Sequence, residues 1–412
     1  MHVLYVVPDY PISPNAPGGG PVLFHNHLEL FARCSHSVAL VVAGNSDTPN
    51  GFDRFVLEQP EEWARVQSWV RSVHRVSFGS STRATRTQRI AQALCDPAAF
   101  THTALDPEAA HALERIASAE SPDLLWAEHR SPAMLAWRAA QGAPIVYSHH
   151  DWGWKIARLR AARHRVGIRE RARMLLLRSA ETRLVREVAA CASPSATEAE
   201  EIRRAGARHV AYLPAAYDPV SPTPVEPAAT APRIVHLGGM PTTANRVGLE
   251  RFMEVVWPRI SGPMAQPPEM WVVGSMRGAS EGLLRRLELA GARCTGFVDD
   301  LATVLRPYDI HIIPWEHDTG TRTRLPLALN HCQMLIATRA SVACVAEMES
   351  GTNCVLVDRL DQMADAVVRA LGDPAWRKSI ADAGRATFFS AFTVEALQPR
   401  FETFLRACAP HT

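Results

Sequence analysis

The chain has 412 residues, 47% of them hydrophobic and 21% charged, with a formal net charge of +2. That length exceeds one ordinary core, so two domains of roughly 200 residues each are expected. The near-neutral charge argues against a general nucleic-acid binder. Eight scattered cysteines, without a C-x-x-C or paired spacing, give no metal or disulfide framework and fit a reducing cytoplasm. No apolar run approaches about 18 residues, so none reads as membrane-spanning. The N-terminus enters an apolar strand without the basic start or cleavage site of a secretion signal. These features predict a soluble cytoplasmic protein.

Residues 2–7 (HVLYVV) are a short continuous apolar run of the kind found in central parallel strands. A loop rich in turn formers ends in Pro17, Gly18, Gly19, Gly20 and Pro21. From Val22 the spacing of Leu23, His27, Leu30 and Phe31 is helical, and Ser37 to Ala43 is the next strand. The three glycines let the backbone approach a ligand closely or serve as a plain loop; the G-x-G-x-x-G spacing of a dinucleotide site is missing. Trp63, Val66, Trp69, Val70 and Val73 predict a helix, and Ala109 to Ala119 another. The polar tract Ser77 to Gln88 between them reads as a mobile loop suited to acceptor recognition. Strands over Asp123–Ala127 and Pro144–Ser148 lead to Glu128-His129 and to His149-His150-Asp151. Polar side chains at the carboxyl ends of parallel strands lie where open α/β sheets bind ligands.

Between Lys155 and Glu187 eleven basic residues stand against three glutamates. This is either a solvated arginine face or a surface for weak contact with an anionic membrane or acceptor. Residues 214–232 contain six prolines and read as an interdomain linker. The chain then divides into an N-terminal domain over 1–213, a second domain over 233–390 and a final helix within 391–412, expected to cross back to the first domain. The second half repeats the alternation of strand and helix, so the fold class is α/β, with two Rossmann-like doubly wound domains. Its central feature is the loop after the strand Ile310–Pro314. Gly320, Thr321, Arg322, Thr323 and Arg324 stand there at a helix start, with Thr323 as the expected N-cap. Free N–H groups, a flexible glycine and two guanidinium groups make an oxyanion or phosphate cradle; the alternative is a solvated surface turn.

Several segments in order resemble the GT-B glycosyltransferases of the retaining family-4 group. They are His236-Leu-Gly-Gly-Met-Pro-Thr-Thr-Ala-Asn245, Met270-Trp-Val-Val-Gly274, Gly296-Phe-Val-Asp-Asp-Leu301 and Gly320-Thr-Arg-Thr-Arg-Leu-Pro-Leu-Ala-Leu329. The resemblance implies two domains facing across a cleft, the first acceptor-side and the second binding a nucleoside-diphosphate sugar, with no other cofactor and no metal. It implies donor contacts at Gly18, Gly19 and Gly20, at Gly238, Gly239, Arg246 and Gly274, at Val298 and Leu301 beside the base, and at Gly320, Thr321 and Thr323. His149, His150 and Asp151 match the family's strand-end His-Asp, and Arg322 and Arg324 are the cations expected to face the diphosphate. There are departures. Leu327 stands where the family places a ribose-binding glutamate and Thr319 where it often has a second. Gly239 and Asn245-Arg246 replace its usual arginine and lysine, and Cys332 and Met334 a usual glycine and proline. The implied activity is sugar transfer to an unidentified acceptor with retention. A silent homologue serving as a partner subunit and a nucleotide-sugar epimerase are the alternatives; for the epimerase, the acid/base candidates are Glu128, Asp151, Glu316 and Asp318.

Overall fold

The computed structural model describes residues 1–16, 19–44, 51–78, 107–139, 142–162, 167–221, 231–264 and 266–408. Gly18, most of the Ser77–Gln88 tract and the middle of the proline-rich stretch lie outside them. The chain forms two compact units. The first comprises Met1–Ala215 with Thr319–Thr321 and Leu397–Thr412, and the second Ala216–Asp318 with Arg322–Ala396.

In the first unit the elements run β1 His2–Pro8, α1 Gly19–Arg33, β2 Ser37–Gly44, α2 Phe52–Glu58, α3 Pro60–Gln67, β3 Ser72–Ser77, α4 Pro107–Glu120, β4 Leu124–Glu128 and α5 Arg130–Ala139. They continue with β5 Ile145–Ser148, α6 Gly153–Ala162, α7 Ile168–Glu187, β6 Ala190–Ser193, α8 Ala196–Arg204 and β7 Val210–Tyr212. The strands form one parallel sheet in the order β3-β2-β1-β4-β5-β6-β7. Both faces of the central strands are covered, which is why β1 can be apolar at every step from Val3 to Val7. One face packs Leu4, Val6, Val41, Leu125 and Met134. The other is aromatic, with Phe31 4.9 Å from Phe401, 5.3 Å from Trp126, and Trp126 5.5 Å from Phe401 between ring centroids. Phe401 arrives on the last helix, Val394–Cys408, whose residues from Leu397 onward belong to this unit.

The second unit runs β8 Ile234–Leu237, α9 Thr243–Arg251, a π-helical turn Phe252–Val256, α10 Trp257–Ser261, β9 Met270–Val273, α11 Glu281–Leu289, β10 Arg293–Gly296 and β11 Ile310–Ile313. Then follow α12 Leu325–Asn330, β12 Met334–Thr338, α13 Arg339–Val342, β13 Val355–Val357, α14 Met363–Gly372, α15 Pro374–Ala391 and the last helix, α16. The strand order is β10-β9-β8-β11-β12-β13. In both sheets the order therefore reverses at the first strand, giving switch points at β1/β4 and β8/β11. A doubly wound sheet opens its ligand crevice at the carboxyl ends of such a pair.

Three local expectations differ from the fold. Val73 lies in β3 and not in a helix with Trp63, because the helix stops at Gln67 and residues 72–77 pair with β2. Thr323 does not cap α12; the residue before that helix is Arg324, in helical conformation, and no side chain caps it. Leu301, expected beside the base, opens a 3-10 turn over Leu301–Thr303 that is capped by the Asp300 side chain. Finally, the start of the proline-rich stretch is docked onto the second unit. Tyr217 N donates to Phe392 O at 2.9 Å, Val220 N donates to Asn330 Oδ1 at 3.0 Å, and Arg385 Nη2 donates to Val220 O at 2.6 Å.

The second unit is also tied at the amino end of its sheet by a buried ion pair. Arg233 Nε donates to Asp309 Oδ2 at 2.7 Å, and the Arg233 guanidinium lies 4.2 Å from the Trp271 ring centroid. Removing one partner strands a charge in the core. Arg233→Met is expected to lower unfolding stability by about 3–5 kcal/mol in urea titrations, and Arg233→Met with Asp309→Leu to recover most of that loss.

Candidate functional site

Each switch point carries a cluster, and the two differ in electrostatic character. In the first unit the loop after β1 leads into Gly19 and Gly20 at the start of α1, while β4 and β5 end beside it. Glu128, the last residue of β4, has no exposed surface. Its Oε1 accepts from Tyr5 Oη at 2.8 Å, Trp126 Nε1 at 2.7 Å and His27 Nδ1 at 2.6 Å, and its Oε2 accepts from His150 Nε2 at 2.7 Å. Burial alone would raise the Glu128 pKa. The His27 charge and the bonds from His150 and His27 outweigh it and hold the carboxyl well below its ordinary range.

His129 follows with a left-handed φ of +65°, a turn that brings its ring parallel to His150 at 3.8 Å between centroids. Burial, then the neighbouring His150, keeps the His129 pKa far below that of a free imidazole. Gly20 is a glycine for want of space: a Cβ there would stand 3.0 Å from His129 Nε2. Phe24 meets both imidazole rings edge-on at 5.6 Å, and the half-exposed Tyr10 meets His129 at 6.3 Å.

In the second unit the β8/β11 switch point is built from glycine. Gly274 has φ +136°, and a Cβ on it would lie 2.7 Å from the Gly238 carbonyl carbon. The two loops are stitched by Gly238 N to Val273 O, Met240 N to Ser275 O and Gly274 N to Gly296 O, each 2.8 Å. Asn245 Nδ2 donates to Gly239 O at 3.0 Å. Above Gly238 lies Arg324, whose Nη1 would be 2.8 Å from a Gly238 Cβ. Arg246 extends from α9 toward Gly278, its Nη1 3.5 Å from the carbonyl oxygen. Among the described residues neither Arg246 nor Arg324 pairs with a carboxylate, whereas Arg251 nearby reaches Glu316 at 3.3 Å.

Arg324 is backed by Tyr217, whose hydroxyl donates to Thr323 O at 2.7 Å. Behind it His236 and His311 are buried, and burial, followed by surrounding positive groups including Arg324, lowers their pKa values to about 3 and about 4. They stay neutral, so the guanidinium carries the charge of the cluster. Val298 and Leu301 are half-buried against Val235, Trp271, Val273 and Leu305 and form an apolar wall at the neighbouring strand ends.

The structure thus brings Gly20, at the start of α1 with Gly19, beside the stacked His129 and His150 in the first unit, and Gly238, Gly239, Arg246, Gly274 and Arg324 together in the second. His149 is not with His150. Successive residues leave a strand on opposite faces, and His149 is fully buried on the other side, 4.6 Å from Trp152, with Nδ1 3.3 Å from Glu198 Oε2. Asp151 is half-buried, as are Gly320, Thr321, Arg322 and Thr323. Because α12 has only six residues, its N-terminus is a weak dipole, and the positive charge of this loop is that of its guanidinium groups. Sequence reasoning missed Tyr217, concealed in an apparent linker, as well as the enclosure of Glu128. Three donors on Oε1 come from residues whose sequence gave no sign of converging.

Residues 17–220 match the family model for Glycosyltransferase Family 4, and residues 231–373 match that for Glycosyl transferases group 1. The chain belongs to this glycosyltransferase family. Sucrose-phosphate synthase from Thermosynechococcus elongatus has the same fold at 16% identity and TM-score 0.67, with 98% of each chain covered. Anabaena HepE in complex with UDP-glucose aligns at 14% identity and TM-score 0.63, covering 99% of this chain and 100% of that one. A glycosyltransferase from Rickettsia africae aligns at 12% identity and TM-score 0.64 over 98% of each. No curated protein matches by sequence. The fold is GT-B, and the protein is a GT-B glycosyltransferase.

The glycine seam of this transferase gives a direct test. Gly274→Ala forces a Cβ into backbone at a positive φ and is expected to cost about 1–3 kcal/mol or more in urea unfolding. Gly282→Ala, inside α11 and facing only the Arg286 side chain at 3.7 Å, is expected to be neutral or to stabilise by up to about 1 kcal/mol.

Proposed function

We propose that this glycosyltransferase moves a sugar from a nucleoside-diphosphate donor to an acceptor hydroxyl, with retention and without a metal. The observation that carries the reading is the pair of cations, Arg246 and Arg324, beside the Gly238–Gly239 loop with no carboxylate partner among the described residues. Positive charge left unpaired where two backbones open at a switch point suits an anion with two or more phosphoryl groups. The apolar wall of Val298 and Leu301 suits the base. HepE, with the same fold, is described in complex with UDP-glucose, which makes a uridine nucleotide the first donor to try.

Departure of a nucleoside diphosphate builds negative charge on the leaving phosphate and positive charge on the sugar. Guanidinium groups fixed in advance lower that barrier without reorganisation, usually the largest catalytic contribution. Arg322 and Arg324 serve this role in the proposal, with Arg246 assisting. The departing phosphate oxygen takes the acceptor's proton, so no general base is required, and the guanidinium charge serves in place of a divalent cation. His150, at its strand end, contacts the sugar, and the backbone at Gly19 and Gly20 gives room for close approach. An epimerase reading fares worse, since it needs carboxylates free for proton transfer. Glu128 is enclosed by four donors and Glu316 pairs with Arg251. Leu327, half-buried on α12 where a ribose ligand is customary in the family, is the observation that favours a silent binding subunit.

Thermal-shift measurements with UDP, GDP, ADP and TDP separate these readings. Binding at 100 times Kd should stabilise the protein by about 2.7 kcal/mol, and indifference to all four would sink the donor assignment. With a donor in hand, Arg322→Ala and Arg324→Ala should each lower turnover on the order of 100-fold or more. Near-normal turnover in a variant would remove that arginine from the mechanism.

A further inference from the structure

We propose that Glu128 is a positioning residue for sugar transfer: held by Tyr5, His27 and Trp126, it fixes the His150 ring with its proton on Nε2, leaving Nδ1 as the nitrogen available to the ligand. This rests on the reading above that His150 contacts the sugar.

The geometry divides the work of the two carboxylate oxygens. Oε1 takes three donors, from β1, α1 and β4. Trp126 has only an N–H to give and Tyr5 a hydroxyl, so Oε1 acts as an acceptor there. The His27 ring is locked as well, by its 2.6 Å bond and by the rings of Trp126 at 5.0 Å and Phe401 at 6.3 Å. With Oε1 occupied, the remaining oxygen has one hydrogen-bond partner among the described residues, His150 Nε2, at 2.7 Å. An acceptor at that distance selects the Nε2–H form of the imidazole. His150 can then neither flip nor change tautomer without abandoning a buried carboxylate.

The surroundings restrict the ring further. His129 stacks on it at 3.8 Å and 20° between planes, and Phe24 closes one edge. His129 is itself fixed by its left-handed backbone and by Gly20. His150 is only 5% exposed, so little of the ring remains to meet a ligand, and its Nε2 is already taken. A carboxylate orienting a catalytic imidazole from behind is a known way to hold a tautomer, and loss of the tautomer costs activity while the fold survives. Here the carboxylate is further pinned by three groups that are themselves buried.

The first test needs no substrate. Long-range proton–nitrogen correlation spectra of the histidine-labelled full chain, with His150 assigned through His150→Gln, should show a proton fixed on Nε2. An unprotonated Nε2 overturns the proposal. Kinetics then read the coupling, using UDP release from UDP-glucose as the probe. Glu128→Gln should lower kcat on the order of 100-fold with KM little changed, and Tyr5→Phe should lower it less. In a His150→Ala background Glu128→Gln should cost almost nothing further. Additive losses overturn the positioning role alone. A fixed Nε2–H together with unchanged UDP release in His150→Ala overturns the catalytic reading of His150, and the positioning role with it.

Discussion

A carboxylate with no exposed surface is the constraint on which the first unit depends. Leaving one charge uncompensated in a core costs several kcal/mol, a large share of the roughly 5–15 kcal/mol by which a domain is stable. Glu128 is compensated only because four donors from separate parts of the chain arrive together. Tyr5 ties β1 to the site, His27 ties α1, and Trp126 sits on the same side of β4 because residues two apart in a strand share a face. The carboxyl ends of β1, β4 and β5 are therefore held in one arrangement. The stacked pair His129 and His150 stands on that base, and the start of α1 can close against it only because residue 20 has no side chain.

The second unit solves the converse problem. Its switch point is made of backbone: Gly238 and Gly274 approach more closely than any side chain permits, so the loops after β8 and β9 present peptide groups to whatever lies above them. Positive charge is then placed beside that backbone, at Arg246 and Arg324, without a carboxylate partner among the described residues. Nearby arginines away from the loop are paired, Arg251 with Glu316 and Arg286 with Glu254. The neutral state of His236 and His311 follows from burial and from the arginine itself, which makes a second or third buried charge unfavourable. One unit thus buries a negative charge to fix a ring, while the other leaves cations uncancelled beside bare backbone.

The comparison with known structures fits this division. At 12–16% identity the fold persists over nearly the full length, because strand order and the apolar runs depend on pattern and not on particular side chains. A leucine at the position customary for a ribose ligand leaves the geometry of the Gly238 loop intact, since that geometry rests on glycine conformation and on arginines anchored elsewhere.

The sequence by itself determined the alternation of strand and helix, the doubly wound class and the position of the glycine and arginine motifs. Each of these is a local signal: apolar runs of four to six residues, turn formers at their ends, and charged residues in the loops that follow. Only the tertiary structure decided which of those residues meet. Glu128 and His150 are 22 positions apart, Glu128 and His27 101, and Glu128 and Tyr5 123. No periodicity spans such separations. The partition of His149 from His150 depended on which face of β5 looks toward β4's glutamate, and Tyr217 was concealed because docking against α15 and Thr323 outweighs the linker character of its neighbours. Local pattern fixes which elements form and where their polar ends lie. The pairing of a buried charge with its donors is a property of packing, because only enclosure by distant segments makes an unpaired carboxylate costly enough to choose its partners.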